Sequence, residues 1–290
     1  MTERRAPAHY AAFAGMSLIW GSTFLAIRLG NETVEAEWGA TIRLVIAALL
    51  LGAIALIRRT PFPRGAALRS IALFGFLNLG VNFALLYWGE RTVPSGIASV
   101  FYATMPISTG IFAWAFGLQR LDPIRMLSAL VGLGGVALIF AGELTRGAPV
   151  LALLAVFAAA TCAALSSIVL KRAPPHSPIV TNAIGALVGA VVCLAASFLL
   201  KESHTLPRSF AGWGPILYLA VVGNLGAFVL YAWLINRWRV TSVATVSLIV
   251  PVIAVTLGAI VRAEAPHPSS YAGAVLVLAG VTISLRAGSR

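Results

Sequence analysis

Charged residues divide this chain into long segments that contain none. Stretches without Asp, Glu, Lys or Arg cover residues 6–27, 70–89, 92–119, 126–142, 147–170, 173–200, 209–236, 240–261 and 265–285. A bilayer core of about 30 Å is crossed by about 20 apolar residues in a helix, and each stretch is close to that length. Because backbone polar groups in lipid must bond to one another, these stretches favour helices over open sheets. The sequence therefore predicts an all-α integral membrane protein.

A tenth span is predicted over residues 38–57, provided that Arg43 is accepted within it. Composition agrees with this class, since 59% of the 290 residues are hydrophobic and 10% are charged, against about 45–50% and about 25% in soluble domains. No substantial part of the chain is expected to be soluble. The ten predicted helices cover residues 8–28, 38–57, 68–89, 94–116, 124–142, 149–170, 178–200, 211–236, 241–262 and 268–286.

The basic residues indicate how these spans are oriented, because cytoplasmic loops retain Lys and Arg. With the N-terminus inside, the cytoplasmic side carries Arg4, Arg5, Arg58, Arg59, Arg64, Arg69, Arg120, Arg125, Lys171, Arg172, Arg237, Arg239, Arg286 and Arg290. The opposite side carries Arg91, Arg146, Lys201, Arg208 and Arg262. The protein is therefore predicted to lie in the inner membrane with both termini in the cytoplasm. The net charge of +12 is then a topology signal that also favours anionic lipids, and no nucleic-acid partner is predicted.

An internal repeat is suggested by a shift of 145 residues. The chain then divides into residues 1–145 and 146–290, with five helices in each half. Five helices begin and end on opposite sides of a membrane, so the second half would be inverted, and two such halves around a central cavity favour alternating access. The shift superposes Pro106 on Pro251, Trp88 on Trp233, Gln119 on Glu264, Gly135 on Gly280 and Ala129 on Ala274.

Several short motifs are spread along nearly the whole chain. They are Trp20-Gly21-Ser22-Thr23-Phe24, Arg43, Pro106, Gln119-Arg120, Gly132, Gly134, Gly135, Pro251, Glu264 and Gly280. Together they resemble the EamA-type branch of the drug/metabolite transporter superfamily. The resemblance implies ten helices in two inverted halves around a central cavity, and export of small metabolites, often amino acids. The family commonly has an acidic residue where Gln119 stands, whereas Glu264 keeps the matching place in the second half.

Two prolines near the centres of predicted helices mark a candidate site. Pro106 and Pro251 each free the carbonyl four residues earlier, at Tyr102 and Ser247. Such carbonyls are tolerated in lipid only where protein, water or a ligand satisfies them. The prolines are interpreted as hinges that face a cavity, with packing kinks as the alternative.

Polar and aromatic side chains at membrane depth extend this site. Asn78 and Asn82 are four residues apart and share a helix face, and carboxamides bond in both senses, which suits an amino-acid or amide ligand. Hydrogen bonds between helices explain each asparagine equally well, and Trp20 is either a cavity wall or a core residue. The predicted substrate-binding residues are Trp20, Asn78, Asn82, Phe101, Tyr102, Asn224, Phe228, Tyr231 and Ser247.

Arg43 is the most costly residue in the predicted spans, because an arginine at a helix centre costs about 2.5–3.5 kcal/mol on insertion scales. Three interpretations are open. Its side chain reaches the outer surface, pairs with an acid such as Glu35, or contacts a substrate carboxylate.

The acids and histidines all fall in loops or at helix ends. Because proton-coupled carriers usually hold a titratable group within the membrane, the sequence predicts facilitated or exchange transport of amino acids, aromatic ones included. A proton-coupled exporter of another substrate class is the alternative. No metal or cofactor is predicted, and the clustered acids or metal ligands of a membrane transferase are absent from the sequence. A receptor or scaffold is the third class.

Gly185 and Gly189 form a GxxxG motif on the seventh predicted helix. Such motifs mark dimer faces or tight packing within one bundle. A monomer is expected, with a homodimer as the alternative, and the predicted partners are a small-molecule substrate and membrane lipids.

Overall fold

A computed structural model describes residues 7–93, 95–144, 148–262 and 267–287, and every regular element in these ranges is a helix. The predicted all-α fold is thereby confirmed. Glu264 lies outside the described residues, as do Arg4, Arg5, Arg146 and Arg290, and the side chains of Phe24, Arg28 and Arg262 also fall outside the description.

Helices follow the predicted spans closely along the chain. In order they are α1 (Pro7–Asn31), α2 (Ala36–Ile57), α3 (Gly65–Glu90), α4 (Ser95–Tyr102 and Met105–Ala115), α5 (Pro123–Ile139), α6 (Val150–Arg172), α7 (Pro178–Leu199), α8 (Phe210–Ile235), α9 (Val240–Ala244 and Val246–Arg262) and α10 (Pro268–Arg286). A short helical turn, Ala141–Leu144, follows α5.

Eight helices among the described residues are long and apolar enough to cross a bilayer, namely α2, α3, α4 and α6 to α10. Helix α5 has 17 residues and α1 has 25. Large apolar side chains such as Leu49, Leu151 and Leu187 are exposed on the outside, whereas Arg43 and Asn78 are buried. Soluble proteins have the reverse arrangement. The chain is therefore a multi-pass membrane protein, and ten crossings stay a prediction.

The two ends of the bundle differ in charge. The end called here the basic end carries the connections 58–64, 116–122, 173–177 and 236–239, which contain Arg58, Arg59, Arg64, Arg120, Arg237 and Arg239. The other end, called the opposite end, carries Glu35, Arg91 and Glu202. The apolar helices join these two polar ends.

Helices α3 and α8 each contain a π-helical segment, Phe76–Val81 and Leu219–Phe228. In a π-helix the backbone bonds run over five residues instead of four, which shifts the face that later residues present. Each segment contains one buried asparagine, Asn78 and Asn224. These irregular turns place amide side chains inside the bundle.

The two predicted hinge prolines occupy different positions. Helix α4 is interrupted at Ala103 and Thr104, and Pro106 lies in the first turn of its second segment, where a proline forfeits no helical hydrogen bond. Thr104 Oγ1 donates to the carbonyl of Phe101 at 2.6 Å, which satisfies one carbonyl at the break. Pro251, in contrast, stands inside the continuous segment Val246–Arg262.

The GxxxG motif of α7 packs within the bundle. A Cβ on Gly75 of α3 would come within 2.5 Å of Gly185 Cα, and a Cβ on Gly189 within 2.7 Å of Leu79 Cβ. Only glycine permits helices to approach so closely. The motif is therefore a contact between α7 and α3 of one chain, as one of its two interpretations predicts.

Candidate substrate cavity

A cavity of about 80 Å³ lies where α1, α2, α3, α4, α6, α8 and α9 meet. One water needs about 10–15 Å³ of such a volume, so the cavity has room for about five to eight waters, or for a small solute in their place. Helices from both halves of the chain form its walls. The lining residues are Trp20, Thr23, Ile27, Arg43, Asn78, Phe83, Leu86, Tyr87, Ser99, Tyr102, Met105, Ala163, Phe228, Tyr231, Val246, Ser247, Val250 and Pro251.

Arg43 forms the charged part of this cavity and is 3% exposed. Its Nε donates to Asn224 Oδ1 at 2.7 Å, its Nη1 donates to the hydroxyl of Tyr87 at 3.1 Å, and its guanidinium lies 4.8 Å from the centroid of the Phe83 ring. Gly223 leaves room for it, since a Cβ there would come within 3.2 Å of Nη2. The side chain therefore points into the bundle.

Two interpretations of Arg43 are wrong in this structure. A buried guanidinium does not reach the outer surface, and Glu35 instead pairs with Arg91 at 3.1 Å. Asn224 and Tyr87 supply neutral acceptors, which satisfy part of the hydrogen-bonding capacity of Arg43 without neutralising its charge. A contact with a substrate carboxylate stays a prediction.

The amides of α3 connect to α4. Asn82 Nδ2 donates to the backbone carbonyl of Asn78 at 2.9 Å, and Asn82 Oδ1 accepts from the hydroxyl of Tyr102 at 3.1 Å. Asn78 and Tyr102 line the cavity, whereas Asn82 lies behind them. Asn82 thus holds the Tyr102 ring in the wall.

Aromatic side chains form the wall nearest α1 and α8. The ring centroid of Trp20 lies 5.1 Å from that of Phe228 and 5.4 Å from that of Tyr231, and Phe83 lies 5.9 Å from Phe228. Edge and tilted ring contacts of this kind are favourable. Trp20 is therefore a wall of the cavity and packs against aromatic neighbours there.

The structure brings most of the predicted site residues together. Trp20, Asn78, Tyr102, Phe228, Tyr231 and Ser247 line the cavity with Arg43 and Pro251, and Asn82 and Asn224 are bonded directly behind it. Two residues lie elsewhere: Phe101 packs in an apolar cluster with Leu86 and Ala98, and Pro106 lines a smaller cavity with Gly110 and Thr241.

Phe83 and Tyr87 were missed because of the π segment in α3. From Asn78, a spacing of four residues leads to Asn82, but the bonding over five residues brings Phe83 to the same face. Tyr87 then follows Phe83 by four residues in regular helix. The spacing of four residues between the aromatic residues Phe83 and Tyr87 is the sequence signal that could have identified them.

At the basic end, polar contacts join the turn before α5 to the start of α9. Arg125 Nη1 donates to Thr241 Oγ1 and to Ser242 Oγ, both at 3.0 Å, and Thr241 Oγ1 donates to Gln119 Oε1 at 3.0 Å. Asp122 caps α5 and contacts Arg125 at 3.2 Å. Gln119 thus accepts a bond from the other half of the chain.

At the opposite end, Glu202 holds the start of α2. Its carboxylate accepts from the backbone N–H groups of Glu37 and Trp38 at 3.3 and 2.9 Å and pairs with Arg91 at 3.0 Å. The side chain of Glu37 is 0% exposed, and within the described residues neither of its oxygens has a hydrogen-bond partner. The sequence did not distinguish this buried acid from the acids at the surface.

Sequence comparison decides the family of the chain. The EamA-like transporter family matches residues 8–141 and again residues 150–286. The chain belongs to the EamA-like transporter family. Membership of this family indicates a transporter and not an enzyme. The family match also confirms the resemblance found in the sequence motifs.

Curated relatives and a solved structure agree with this family. The "Uncharacterized inner membrane transporter YedA" of Escherichia coli (strain K12) is 30% identical, over 95% of this chain and 90% of its own length. A "Probable amino-acid metabolite efflux pump" of the same strain is 26% identical, over 92% and 91%. A "Probable terminal-alkyne amino-acid exporter" of Streptantibioticus cattleyicolor is 27% identical, over 91% and 89%. One solved structure shares the fold, with a TM-score of 0.79, 19% identity and 98% of both chains covered. The chain is therefore a multi-pass inner membrane transporter.

Proposed function

We propose that this EamA-like transporter exports small metabolites that carry a carboxylate, amino acids and aromatic amino acids among them, by alternating access. The observation that carries the proposal is Arg43, a buried cation that lines the central cavity. Within the described residues no carboxylate lies within 4.0 Å of its guanidinium. A buried charge without a counter-ion is unfavourable, so a substrate carboxylate would stabilise it. Two relatives named as amino-acid exporters support this substrate class.

Two halves, residues 1–145 and 146–290, are proposed to be inverted repeats that cross the membrane ten times in total. Support comes from the two separate matches to one family and from the π segments, because Phe76–Val81 shifted by 145 residues falls within Leu219–Phe228. Helix α1 and the shorter α5 would supply the two crossings beyond the eight. Such halves open one central site to either side in turn.

Both termini are proposed to be cytoplasmic, with the basic end of the bundle inside. The concentration of arginines there supports this orientation, because positive loops remain on the cytoplasmic side. Export then moves substrate from the basic end to the opposite end.

Facilitated or exchange transport is proposed as the mode. Among the described residues that line the cavity, none is Asp, Glu or His, so no titratable acid meets the substrate there. Movement would then follow the substrate gradient.

A proton-coupled exporter is the second candidate, and Glu37 favours it. Its carboxyl group is 0% exposed, and neither of its oxygens has a hydrogen-bond partner within the described residues. In this it resembles the intramembrane acids that bind protons in carriers. It lies near Glu202 and Arg91 at the opposite end, away from the cavity. In this candidate the opposite end would release the proton as it opens.

Purified protein in proteoliposomes tests the proposal. The assay compares uptake of labelled amino acids, sugars and organic cations, each with and without imposed pH and sodium gradients. We expect amino acids, aromatic ones included, to exchange across the vesicle membrane without an imposed gradient. Transport of sugars or organic cations in preference to every carboxylate would contradict it, and accumulation that requires the pH gradient would favour the second candidate.

A further inference from the structure

The cavity has an unbalanced charge. Arg43 is the one formally charged side chain among the described residues that line it. The other polar lining groups, such as Asn78, Ser99 and Tyr102, are neutral at pH 7. A solute enters a site that already carries one positive charge.

The guanidinium of Arg43 retains bonding capacity. It has five N–H donors, and within the described residues two of them donate to protein acceptors, Asn224 Oδ1 and the Tyr87 hydroxyl. Both acceptors are neutral, and Phe83 contributes only the face of its ring. An anion would neutralise this charge in a region of low dielectric, where charge–charge attraction is strong.

A zwitterion would not change the net charge of the cavity. Its carboxylate could bond to Arg43, but its ammonium would also need a negative partner. Thr23 and Ser247 offer only hydroxyl oxygens, since each already donates its proton to a backbone carbonyl, that of Trp20 or of Ala244. The aromatic rings can attract a cation through their faces, but they carry no negative charge that would balance an ammonium group. The charge balance therefore favours an anion over a zwitterion.

The basic end has a second, independent excess of positive charge. An open basin of about 670 Å³ lies there, and the charged side chains that line it are Arg120, Asp122, Lys171, Arg237 and Arg239. Four of these five side chains are cationic, and a cleft with a net positive charge raises the local concentration of anions. Anionic solutes are thus concentrated at the end from which export is proposed to begin.

The rest of the cavity suits an aromatic ring. Trp20, Phe228 and Tyr231 form an aromatic wall, and the Phe83 ring contacts both Phe228 and the guanidinium of Arg43. The aromatic ring of a solute that packs against this wall can direct the carboxylate of that solute towards Arg43.

From this charge balance we infer that the preferred substrates are aromatic monocarboxylates with a net charge of −1, such as 2-oxo acids, 2-hydroxy acids or N-acylated amino acids, rather than the parent zwitterions. The inference rests on the proposed function and narrows its substrate class. The carboxylate binds Arg43, and the ring lies among Trp20, Phe228 and Tyr231.

A series of solutes with one ring and different charges tests it. Uptake into proteoliposomes is measured for phenylpyruvate, phenyllactate and N-acetylphenylalanine (−1), phenylalanine (zwitterion) and phenylethylamine (+1). We expect each anion to compete for the site at least about tenfold better than phenylalanine, because phenylalanine makes the same carboxylate bond but also buries an ammonium group without a negative partner. Equal or better transport of phenylalanine overturns the inference but leaves the proposed function standing. Transport of phenylethylamine without any carboxylate overturns both.

Substitutions at Arg43 test whether this residue causes the preference for anions. Arg43→Gln should abolish the advantage of the anions, Arg43→Lys should keep it with weaker binding, and Arg58→Gln, an exposed arginine at the end of the same helix, should leave it unchanged. An anion preference that persists in a folded Arg43→Gln protein overturns the assignment to Arg43. If that variant does not fold, the selectivity of the unmodified protein still decides the charge preference.

Discussion

Arg43 on α2 and Asn224 in the π segment of α8 are joined by a hydrogen bond of 2.7 Å from Nε to Oδ1, which links the two halves of the chain beside the cavity. A neutral amide orients the guanidinium without neutralising it. In an interior, a carboxylate in this position would form an ion pair and occupy the bonding groups that a substrate needs. The choice of asparagine keeps the cation available.

Asn224→Asp tests this relationship. We expect the new carboxylate to pair with Arg43, so that transport of carboxylate substrates falls by about tenfold or more while thermal stability in detergent is kept or raised. Competition assays and thermal unfolding measure the two effects. The Asn236→Asp protein, changed at the connection after α8, serves as control, and undiminished transport by Asn224→Asp would remove Arg43 from substrate binding.

Tyr102→Phe tests the support of the cavity wall. Without its hydroxyl, Asn82 Oδ1 loses the bond of 3.1 Å while Asn82 stays buried, which costs about 1–3 kcal/mol. We expect a lower unfolding temperature and weaker substrate binding. Tyr271→Phe on α10, where the tyrosine is 65% exposed, should change neither, and an unaltered Tyr102→Phe protein would show that the Asn82 bond is dispensable.

Glu37→Gln separates the two modes of transport. If transport is facilitated or exchange, the variant should keep its rate within about twofold and unfold at no lower temperature, because glutamine cannot become charged at this buried site, where the carboxyl oxygens have no hydrogen-bond partner among the described residues. Uptake is measured with and without a pH gradient, and Glu35→Gln, at an acid paired with Arg91, is the matched control. Loss of gradient-driven accumulation in Glu37→Gln alone would establish the proton-coupled mode.

Adjacent glycines on α5 provide a test of the helix packing. A Cβ on Gly135 would come within 2.7 Å of the Gly273 carbonyl oxygen on α10, whereas a Cβ on Gly134 meets nothing within 4 Å. Gly135→Ala should therefore lower stability by about 1–3 kcal/mol through overpacking. Gly134→Ala should be neutral or stabilise by up to about 1 kcal/mol, since alanine is the better helix former. Similar unfolding temperatures for both variants would contradict the close contact of α5 and α10.

The positions of the helices could be predicted from the sequence because charged residues need water and therefore mark where apolar helices end. Turn residues added detail, as where Asp122 caps α5 ahead of Pro123. The break in α4 was not predicted, because Pro106 alone indicates a kink in a continuous helix and does not reveal a new segment.

Much of the candidate site was also predictable, since polar and aromatic residues at membrane depth require partners or a ligand. Three features were not. The burial of Arg43 depends on Gly223, Asn224 and Tyr87, which lie far from it in the chain. The π segment moved the cavity face from Asn82 to Phe83. From the sequence alone, the Glu37 carboxyl is expected at the surface, whereas in the structure Glu202 and α7 cover it.

Counterflow of labelled phenylalanine and phenylpyruvate, in vesicles preloaded with the same unlabelled compound, tests the central claim most directly. The proposal predicts a transient accumulation of label with the unmodified protein and with Arg58→Gln, and its loss with Arg43→Gln. An Arg43→Gln protein that folds and accumulates label as the unmodified protein does would contradict the claim that Arg43 receives the carboxylate of a transported substrate.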